Sequence, residues 1–221
     1  MTRNWVNFFG SEEADLLRHY RHWTYHAPLW DLLVSTLPRG SRILDIGCGL
    51  GDTALLLAAY GYSVIGIDRE EALLARAREA AERLGVETVV FEKGDLMNLR
   101  PHHARYDAVL SLGLMEHFDP PEAARLLADQ ARCANRVIVN IPSVWARLSV
   151  PFVDERPYHL RDLRRLGRRA GLVVEKNTGY GDVRGRFLHE AFRQLAPRGC
   201  YRWLQKRGYA TSLTAVFRRN S

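Results

Sequence analysis

Three glycines at alternate positions join a β-rich run to a helical run near residue 50. They are Gly47, Gly49 and Gly51, in the sequence ILDIGCGLGDTALLLA. Glycine allows the backbone angles of a tight turn, and a ligand can approach it closely because no Cβ intervenes. Seventeen residues after Gly51, the run YSVIGID ends at Asp68. A carboxylate at a strand end can accept hydrogen bonds from both hydroxyls of a ribose, so the two features together predict a nucleoside-containing ligand.

The glycine spacing distinguishes between classes of such ligand. It is G-x-G-x-G, whereas the pyrophosphate-binding fingerprint of dinucleotide enzymes is G-x-G-x-x-G. Asp52 follows the last glycine, where a pyrophosphate would need bare N–H groups at a helix N-terminus, and two anions there would repel each other. The turn therefore predicts a ligand without phosphates.

Four motifs in order carry a more specific resemblance: LDIGCGLG, GID, GDL and YDAVLSLGLMEHF. Over about residues 42–174 the chain resembles the class I S-adenosylmethionine-dependent methyltransferases, and within them the group that acts on small molecules (methyltransferase type 11/12-like domains). The resemblance implies an enzyme that binds S-adenosylmethionine and methylates a small-molecule acceptor. The cofactor-binding residues that it implies are Asp45, Gly47, Cys48 and Gly49 at the methionine end, Asp68 at the ribose, Arg69, Asp95 and Leu96 at the adenine, and Ser111 and Leu112 beneath the cofactor.

Methyl transfer to a hydroxyl needs an aligned nucleophile and a group that takes its proton. His117, in MEHF after the fourth predicted strand, is the best placed candidate, because histidine titrates near neutral pH. We therefore predict an oxygen nucleophile and His117 as the general base. The alternative is that Glu116 and His117 cap the next helix or pack against the cofactor. Some related quinol O-methyltransferases carry acidic residues beside this pair that are thought to hold a metal, but Gly113 breaks that pattern and no metal is predicted.

A second group of chemically capable side chains lies near the N-terminus. His19, His22 and His26 are spaced to share one helical face, with Tyr20 and Trp23 interleaved. Three histidines on one face could ligate a metal, but we favour an aromatic lid. Tyr20 and Trp23 are then predicted to close over the cofactor, because an aromatic ring attracts a sulfonium cation.

Other candidates for contact with the acceptor follow the fifth predicted strand. They are Asn140, Ser143 and Trp145, with Tyr158 and His159 as alternatives for a base or a substrate contact. A structural role is the simpler interpretation of each.

The elements that must position these residues alternate between β-rich and helical runs. This alternation predicts a doubly wound α/β fold with a mostly parallel sheet, in which ligands bind beyond the carboxyl ends of the strands. The resemblance implies a Rossmann-like sheet of seven strands whose last strand is antiparallel. The predicted strands are residues 42–46, 63–67, 88–92, 106–112, 136–141, 172–175 and 212–218. The predicted helices are residues 53–60, 69–84, 121–134 and 159–170.

The domain organisation predicted is a helical N-terminal lid over residues 1–37 and a methyltransferase domain over residues 38–221. Within the latter, residues 177–210 form an insertion rich in basic and aromatic side chains. The lid and the insertion are both predicted to cover the ligand-binding edge of the sheet.

Composition narrows the class of protein. A hydrophobic content of 47% and a charged content of 26% are those of a globular domain. The chain has no signal-like N-terminus and no apolar run of membrane-spanning length, and its three cysteines are widely spaced. We expect a cytoplasmic protein without membrane insertion, and a homodimer is an open alternative.

Charge is unevenly distributed along the chain. Residues 155–221 carry 16 Lys and Arg against 5 Asp and Glu, whereas the net charge of the whole chain is +7. This asymmetry keeps an RNA or acidic-carrier substrate open as the less favoured alternative. The chain lacks the Asn/Asp-Pro-Pro-aromatic element of adenine methyltransferases and the Pro-Cys nucleophile of cytosine C5 enzymes. A non-catalytic partner subunit that keeps the cofactor fold is a third hypothesis.

Overall fold

The computed structural model describes residues 16–146, 155–183 and 187–219. The chain divides into two compact units, residues 1–110 and residues 111–221. The described elements of the first unit are α1 (Leu16–Tyr25), α2 (Ala27–Val34), β1 (Arg42–Ile46), α3 (Asp52–Ala59), β2 (Ser63–Asp68), α4 (Glu71–Leu84), β3 (Val89–Lys93) and β4 (Tyr106–Leu112), the last of which ends in the second unit. The second unit continues with α5 (Pro120–Cys133), β5 (Ala134–Pro142), α6 (Leu160–Arg169), β6 (Leu172–Tyr180), α7 (Phe187–Leu195), α8 (Arg198–Lys206) and β7 (Ser212–Arg219).

The strands form a seven-stranded sheet in the order β3-β2-β1-β4-β5-β7-β6. β1 pairs with β2, and β2 with β3, in parallel register, whereas β7 is antiparallel to both β5 and β6. The predicted fold class, a Rossmann-like sheet with an antiparallel last strand, is confirmed. Among the described helices, none is long and apolar enough to cross a membrane.

Helix boundaries in the first unit follow from local signals. α4 presents Leu73, Leu74 and Ala77 to the core and ends at Gly85, which adopts the left-handed conformation (φ 64°) that glycine favours at this position. The described part of the predicted N-terminal lid contains two helices, α1 and α2, and Pro28 lies in the first turn of the second. The first 15 residues of that predicted lid lie outside the described residues.

α5 in the second unit begins one residue earlier than predicted. Asp119 is its N-cap and accepts a hydrogen bond from the backbone N–H of Glu122 at 2.8 Å. Both Pro120 and Pro121 occupy the first turn, where the missing N–H groups need no partner.

β6 is longer than predicted, because it continues past Glu175 to Tyr180. The pairing with β7 shifts register between Val174 and Lys176, as at a β-bulge, and then resumes. The first four residues of the predicted insertion 177–210 are therefore strand, and most of the described remainder is α7 and α8. Gly179 allows close packing there, because a Cβ on it would clash with the carbonyl oxygen of Gln205 at the end of α8.

Candidate active site

The glycine turn of the first unit connects β1 to α3. Gly47, Gly49 and Gly51 all have positive φ angles, 70°, 55° and 77°, which are strained for any other residue. The backbone N–H groups of Gly47 and Cys48 both donate to the carbonyl oxygen of Ile67, at 2.9 and 3.1 Å. The turn is therefore held against the end of β2.

Phe91 on β3 packs beneath this turn. A Cβ on Gly51 would stand 2.5 Å from Phe91 Cζ, and a Cβ on Gly66 would stand 2.8 Å from Phe91 Cδ1. The Cβ on Gly66 would also stand 3.0 Å from Cys48 Sγ, so the thiol of Cys48 faces the sheet. Burial raises the pKa of this thiol well above its usual range, which leaves it protonated and unreactive.

Asp68 ties the end of β2 to the glycine turn. Its Oδ2 accepts a hydrogen bond from the backbone N–H of Gly49 at 2.9 Å, and its Oδ1 accepts one from Glu70 at 3.0 Å. A carboxylate has about four acceptor positions. Two backbone donors therefore orient the group and leave capacity for two further donors, such as the hydroxyls of a ribose.

Asp45 is a buried carboxyl near the end of β1. It is 2% exposed, and its Oδ2 has no hydrogen-bond partner among the described residues. Burial, and secondarily the nearby charge of Asp68, raise its pKa to about 7. A buried acceptor without a donor is rare in native proteins. It fits a ligand that brings a donor or a positive charge, as the amino group of S-adenosylmethionine does.

The residues predicted to flank the adenine lie on the surface of the first unit. Arg69 is exposed and pairs with Glu70 at 3.1 Å. Asp95 is exposed, and its Oδ1 accepts a hydrogen bond from the backbone N–H of Met97 at 2.9 Å, while Leu96 is half-buried. Asp95 thus orders the turn after β3.

α1 docks on the first turn of α3, directly after the glycine turn. The buried His19 contacts the carboxylate of Asp52 through Nδ1, and the indole N–H of Trp23 donates to the carbonyl oxygen of Asp52 at 2.9 Å. His22 lies 3.3 Å from the hydroxyl of Thr53. Tyr20, in contrast, is 61% exposed. Within the described ranges, no group of three or more His, Cys, Asp or Glu residues is arranged to hold a metal ion.

The end of β4 carries the candidate residues of the second unit. Ser111 is fully buried, 3.4 Å from the side-chain amide of Gln130, and Leu112 is half-buried. Gly113 then turns the chain with φ 64°, and its N–H donates to the carbonyl oxygen of Asn140 at 2.9 Å. The next turn is 3-10 and holds Met115–His117.

The adjacent residues of this turn differ in environment. The predicted base His117 is half-buried, and its backbone N–H donates to Leu114 at 3.3 Å. Glu116 is 4% exposed, and burial raises the pKa of its carboxyl to about 8. Its Oε2 has no partner among the described residues. The motif MEHF points to this turn, but nothing in it shows which of the two side chains is buried.

The candidate acceptor contacts after β5 differ in role. The Nδ2 of Asn140 donates to the hydroxyls of Tyr180 and Thr214, both at 2.8 Å, so its amide bonds β5 to β6 and β7. Ser143 is buried, and its hydroxyl donates to the carbonyl oxygen of Ala210. These two side chains serve the fold.

Trp145 belongs to an aromatic cluster. Its ring centroid lies 5.0 Å from that of Tyr209 and 5.8 Å from that of His189, and the latter two are in contact through Nδ1 and the hydroxyl. Phe192 and Tyr201 extend the cluster. All of these rings except Trp145 come from the predicted insertion, whose residues 184–186 lie outside the described part.

The alternatives Tyr158 and His159 precede α6. The hydroxyl of the buried Tyr158 donates to the carbonyl oxygen of Met115 at 3.5 Å. His159 is exposed, and its backbone N–H donates to Asp162 at 2.9 Å, as at a helix N-cap. Tyr158 therefore packs beside the Met115–His117 turn, whereas His159 begins a helix.

Comparison with known proteins relates part of this chain to methyltransferases. Residues 43–136 match the family model of a methyltransferase domain. The chain is 34% identical over 131 residues to a 23S rRNA (uracil(1939)-C(5))-methyltransferase of Azoarcus sp., covering 55% of this chain and 29% of that protein. It is 36% identical over 124 residues to 27-O-demethylrifamycin SV methyltransferase of Amycolatopsis mediterranei, covering 52% and 46%. The chain thus spans less than half the length of either relative.

A solved structure extends the likeness over the full fold. Magnesium protoporphyrin IX methyltransferase from Synechocystis PCC 6803, with bound SAH, superposes with a TM-score of 0.67 at 20% identity, covering 98% of this chain and 93% of that one. The resemblance predicted from the motifs is confirmed over residues 43–136, which match a methyltransferase domain, and the solved methyltransferase shares the fold of the chain.

Proposed function

We propose that this chain, which carries a class I S-adenosylmethionine-dependent methyltransferase domain, methylates an oxygen atom of a small-molecule acceptor. The observation that supports the cofactor part of the proposal is the carboxylate of Asp68, which accepts a hydrogen bond from the N–H of Gly49 at 2.9 Å and can accept two more. A strand-to-helix turn without a ligand would need neither this carboxylate nor three left-handed glycines.

The proposed roles of the first unit concern the cofactor, which supplies a methyl group activated by a positively charged sulfur. Asp68 accepts hydrogen bonds from the ribose hydroxyls, and Asp45 accepts one from the amino group of the methionine moiety. The backbone of Gly47–Gly49 lines the methionine end, where the missing side chains allow close approach. Arg69, Asp95 and Leu96 flank the adenine.

The proposed roles of the second unit concern the acceptor. An oxygen nucleophile is supported by the Amycolatopsis relative, whose name describes methylation of a 27-O-demethyl compound. It is also supported by two titratable side chains in one turn, Glu116 and His117. We assign removal of the hydroxyl proton to this turn, and the sequence favours His117 as the base.

Calorimetry with S-adenosylmethionine tests the cofactor site. We expect Asp68→Ala to weaken binding by a factor on the order of 100 to 10,000, because two hydrogen bonds to a charged group contribute roughly 3–6 kcal/mol together. Glu79→Ala is the matched control, since Glu79 is an exposed carboxylate on the surface of α4. No binding by the wild-type chain, or equal binding by Asp68→Ala, would rule out the proposal.

Turnover tests the reaction. Release of S-adenosylhomocysteine should be detected with at least one member of a panel of hydroxylated aromatics containing catechol, hydroquinone and 4-hydroxybenzoate. Turnover would also exclude a non-catalytic partner subunit. Methylation of amines alone would contradict the oxygen nucleophile and leave the methyltransferase assignment standing.

A larger anionic substrate is the second candidate, and the charge of α6 favours it. The helix exposes a row of basic side chains: Arg161, Arg164, Arg165, Arg168 and Arg169. Asp162 lies 4.0 and 3.6 Å from the first and third of them. The Azoarcus relative is named for an rRNA substrate. RNA binding would be steeply salt-dependent and would weaken in an Arg164→Gln/Arg168→Gln double variant, whereas no binding at low salt would exclude RNA.

The setting proposed for this reaction is the cytoplasm. Cys48, Cys133 and Cys200 are all free thiols, as a reducing compartment allows. Sedimentation of the purified chain would distinguish a monomer from the homodimer that the sequence leaves open.

A further inference from the structure

A buried carboxyl group stands directly after β4, in the turn Met115–His117. The side chain of Glu116 is 4% exposed, and its Oε2 has no hydrogen-bond partner among the described residues. A carboxyl in this position destabilises the fold, and an apolar side chain of similar size would avoid that cost. An unpaired buried polar atom in a native structure calls for an explanation in function.

The carboxyl borders an open space at Gly113. A Cβ built on Gly113 would stand 3.7 Å from Glu116 Oε1 and would meet, beyond its chain neighbours, no other described atom within 4 Å. Gly113 is itself exposed. A hydroxyl that approaches over this glycine can therefore reach Oε1 without displacing a side chain.

Among the described residues, the charged and titratable groups that interact with Glu116 lie in residues 155–158. The pKa of the Glu116 carboxyl is raised to about 8: burial raises it most, the N–H of the same residue lowers it, and the nearby charge of Glu155 raises it. Arg156 donates its backbone N–H to the carbonyl oxygen of Glu116 at 2.9 Å. Burial also raises the pKa of Tyr158, with Glu116 acting in the same direction and Arg156 against it.

We propose that Glu116 accepts the proton of the acceptor hydroxyl during methyl transfer, with the acceptor bound over Gly113. The inference rests on the proposed O-methylation. It makes Glu116, and not the adjacent His117, the group that accepts the proton.

The step balances as a single displacement. The acceptor oxygen forms a bond to the methyl carbon, the carbon–sulfur bond breaks, and its electron pair stays on sulfur in S-adenosylhomocysteine. The hydroxyl proton moves to Oε1 of the ionised Glu116, which becomes a neutral carboxyl and later loses the proton to solvent. Because its pKa is near 8, Glu116 is a stronger base than an ordinary glutamate. At pH 8 it is ionised in about half of the molecules.

The first arm of the test needs no acceptor. Urea unfolding of wild type and Glu116→Gln is measured between pH 4 and pH 9. The pKa of Glu116 rises on folding from its ordinary value of 4.5 to about 8. The folded protein therefore binds this proton more tightly than the unfolded chain does. The wild type should therefore lose stability relative to Glu116→Gln as pH rises through this window and level off above it. The ratio of the two unfolding constants should change by a factor on the order of a thousand.

The second arm measures turnover with catechol, hydroquinone and 4-hydroxybenzoate. For a substrate of the wild type, kcat should rise with pH, with its midpoint near pH 8, and level off about one pH unit higher. We expect Glu116→Gln to lower kcat by a factor of about 100 or more and to abolish this rise, while S-adenosylmethionine binding stays within about twofold. In His117→Gln the rise near pH 8 should remain. Glu116→Asp, which keeps the carboxyl, should recover part of the rate.

Each outcome decides one point. A stability difference independent of pH would show that Glu116 is not a buried proton-holding group and would overturn the inference. A pH profile that disappears in His117→Gln and survives in Glu116→Gln would return the role to His117. No turnover of any phenol by the wild type would refute the proposed O-methylation, and the role of Glu116 with it, even where the stability difference is seen.

Discussion

Replacing Gly51 with alanine would direct a methyl group into the ring of Phe91. Gly51 adopts φ 77°, and a Cβ on it would lie 2.5 Å from Phe91 Cζ and 2.8 Å from Cε1. The left-handed conformation alone costs alanine about 1–2 kcal/mol. Overpacking against a buried ring adds about 1–3 kcal/mol. We therefore expect Gly51→Ala to lower the free energy of unfolding by about 2–5 kcal/mol.

Gly85→Ala is the matched control. Gly85 has a similar φ, 64°, but no described atom lies within 4 Å of the position that a Cβ would take on it. This substitution should cost only the backbone contribution, about 1–2 kcal/mol. The difference between the two variants then isolates the clash with Phe91.

Urea denaturation followed by circular dichroism measures both variants, and a double variant tests the cause. If the ring is responsible, Phe91→Leu in the Gly51→Ala background should recover part of the lost stability, so that the double variant costs less than the sum of the single changes. Calorimetry should also show weaker binding of S-adenosylmethionine by Gly51→Ala. Equal losses in Gly51→Ala and Gly85→Ala, or full additivity with Phe91→Leu, would refute the reasoning.

Two further predictions concern the sheet of the second unit. Arg136 bonds to Glu175 at 2.9 Å and lowers the pKa of that carboxyl, so the pair stabilises the fold above the ordinary pKa of glutamate and loses this effect as pH falls through the lowered value. Glu175→Gln should cost about 0.5–1 kcal/mol at pH 7 and nothing near pH 2 in urea titrations; a loss that persists in acid would contradict the ion pair. Asn140→Ala should cost about 2–4 kcal/mol in thermal unfolding, because it leaves the buried partners Tyr180 and Thr214 without its amide. A loss no larger than that of Asn98→Ala, on an exposed turn, would argue against this role.

The order of elements in the first unit could be predicted from the sequence. The order of strand, glycine turn, helix and strand ending in Asp68 is local in the chain, and each element depends on residue types within it. Gly51 and Asp68 are predicted by their chemistry alone, since only glycine accepts the turn conformation and only a short acid fits the strand end. The same alternation of β-rich and helical runs predicted the sheet, and it missed the extension of β6 because Asn177 and Gly179 lack a strand pattern. Pairing with β7 supplies that extension.

The burial of polar side chains, and whether they have partners, could be read only from the folded chain. Asn140 was a candidate for contact with the acceptor, but packing against Tyr180 and Thr214, distant in sequence, turned its amide inward. The motif MEHF gives no reason to expect Glu116 to be more buried than His117, whereas in the folded chain the glutamate is buried and residues 155–156 interact with it. Burial depends on the segments that pack against a residue in the folded chain, so the sequence around position 116 does not predict it. The raised proton affinity on which the inference for Glu116 depends comes from that burial.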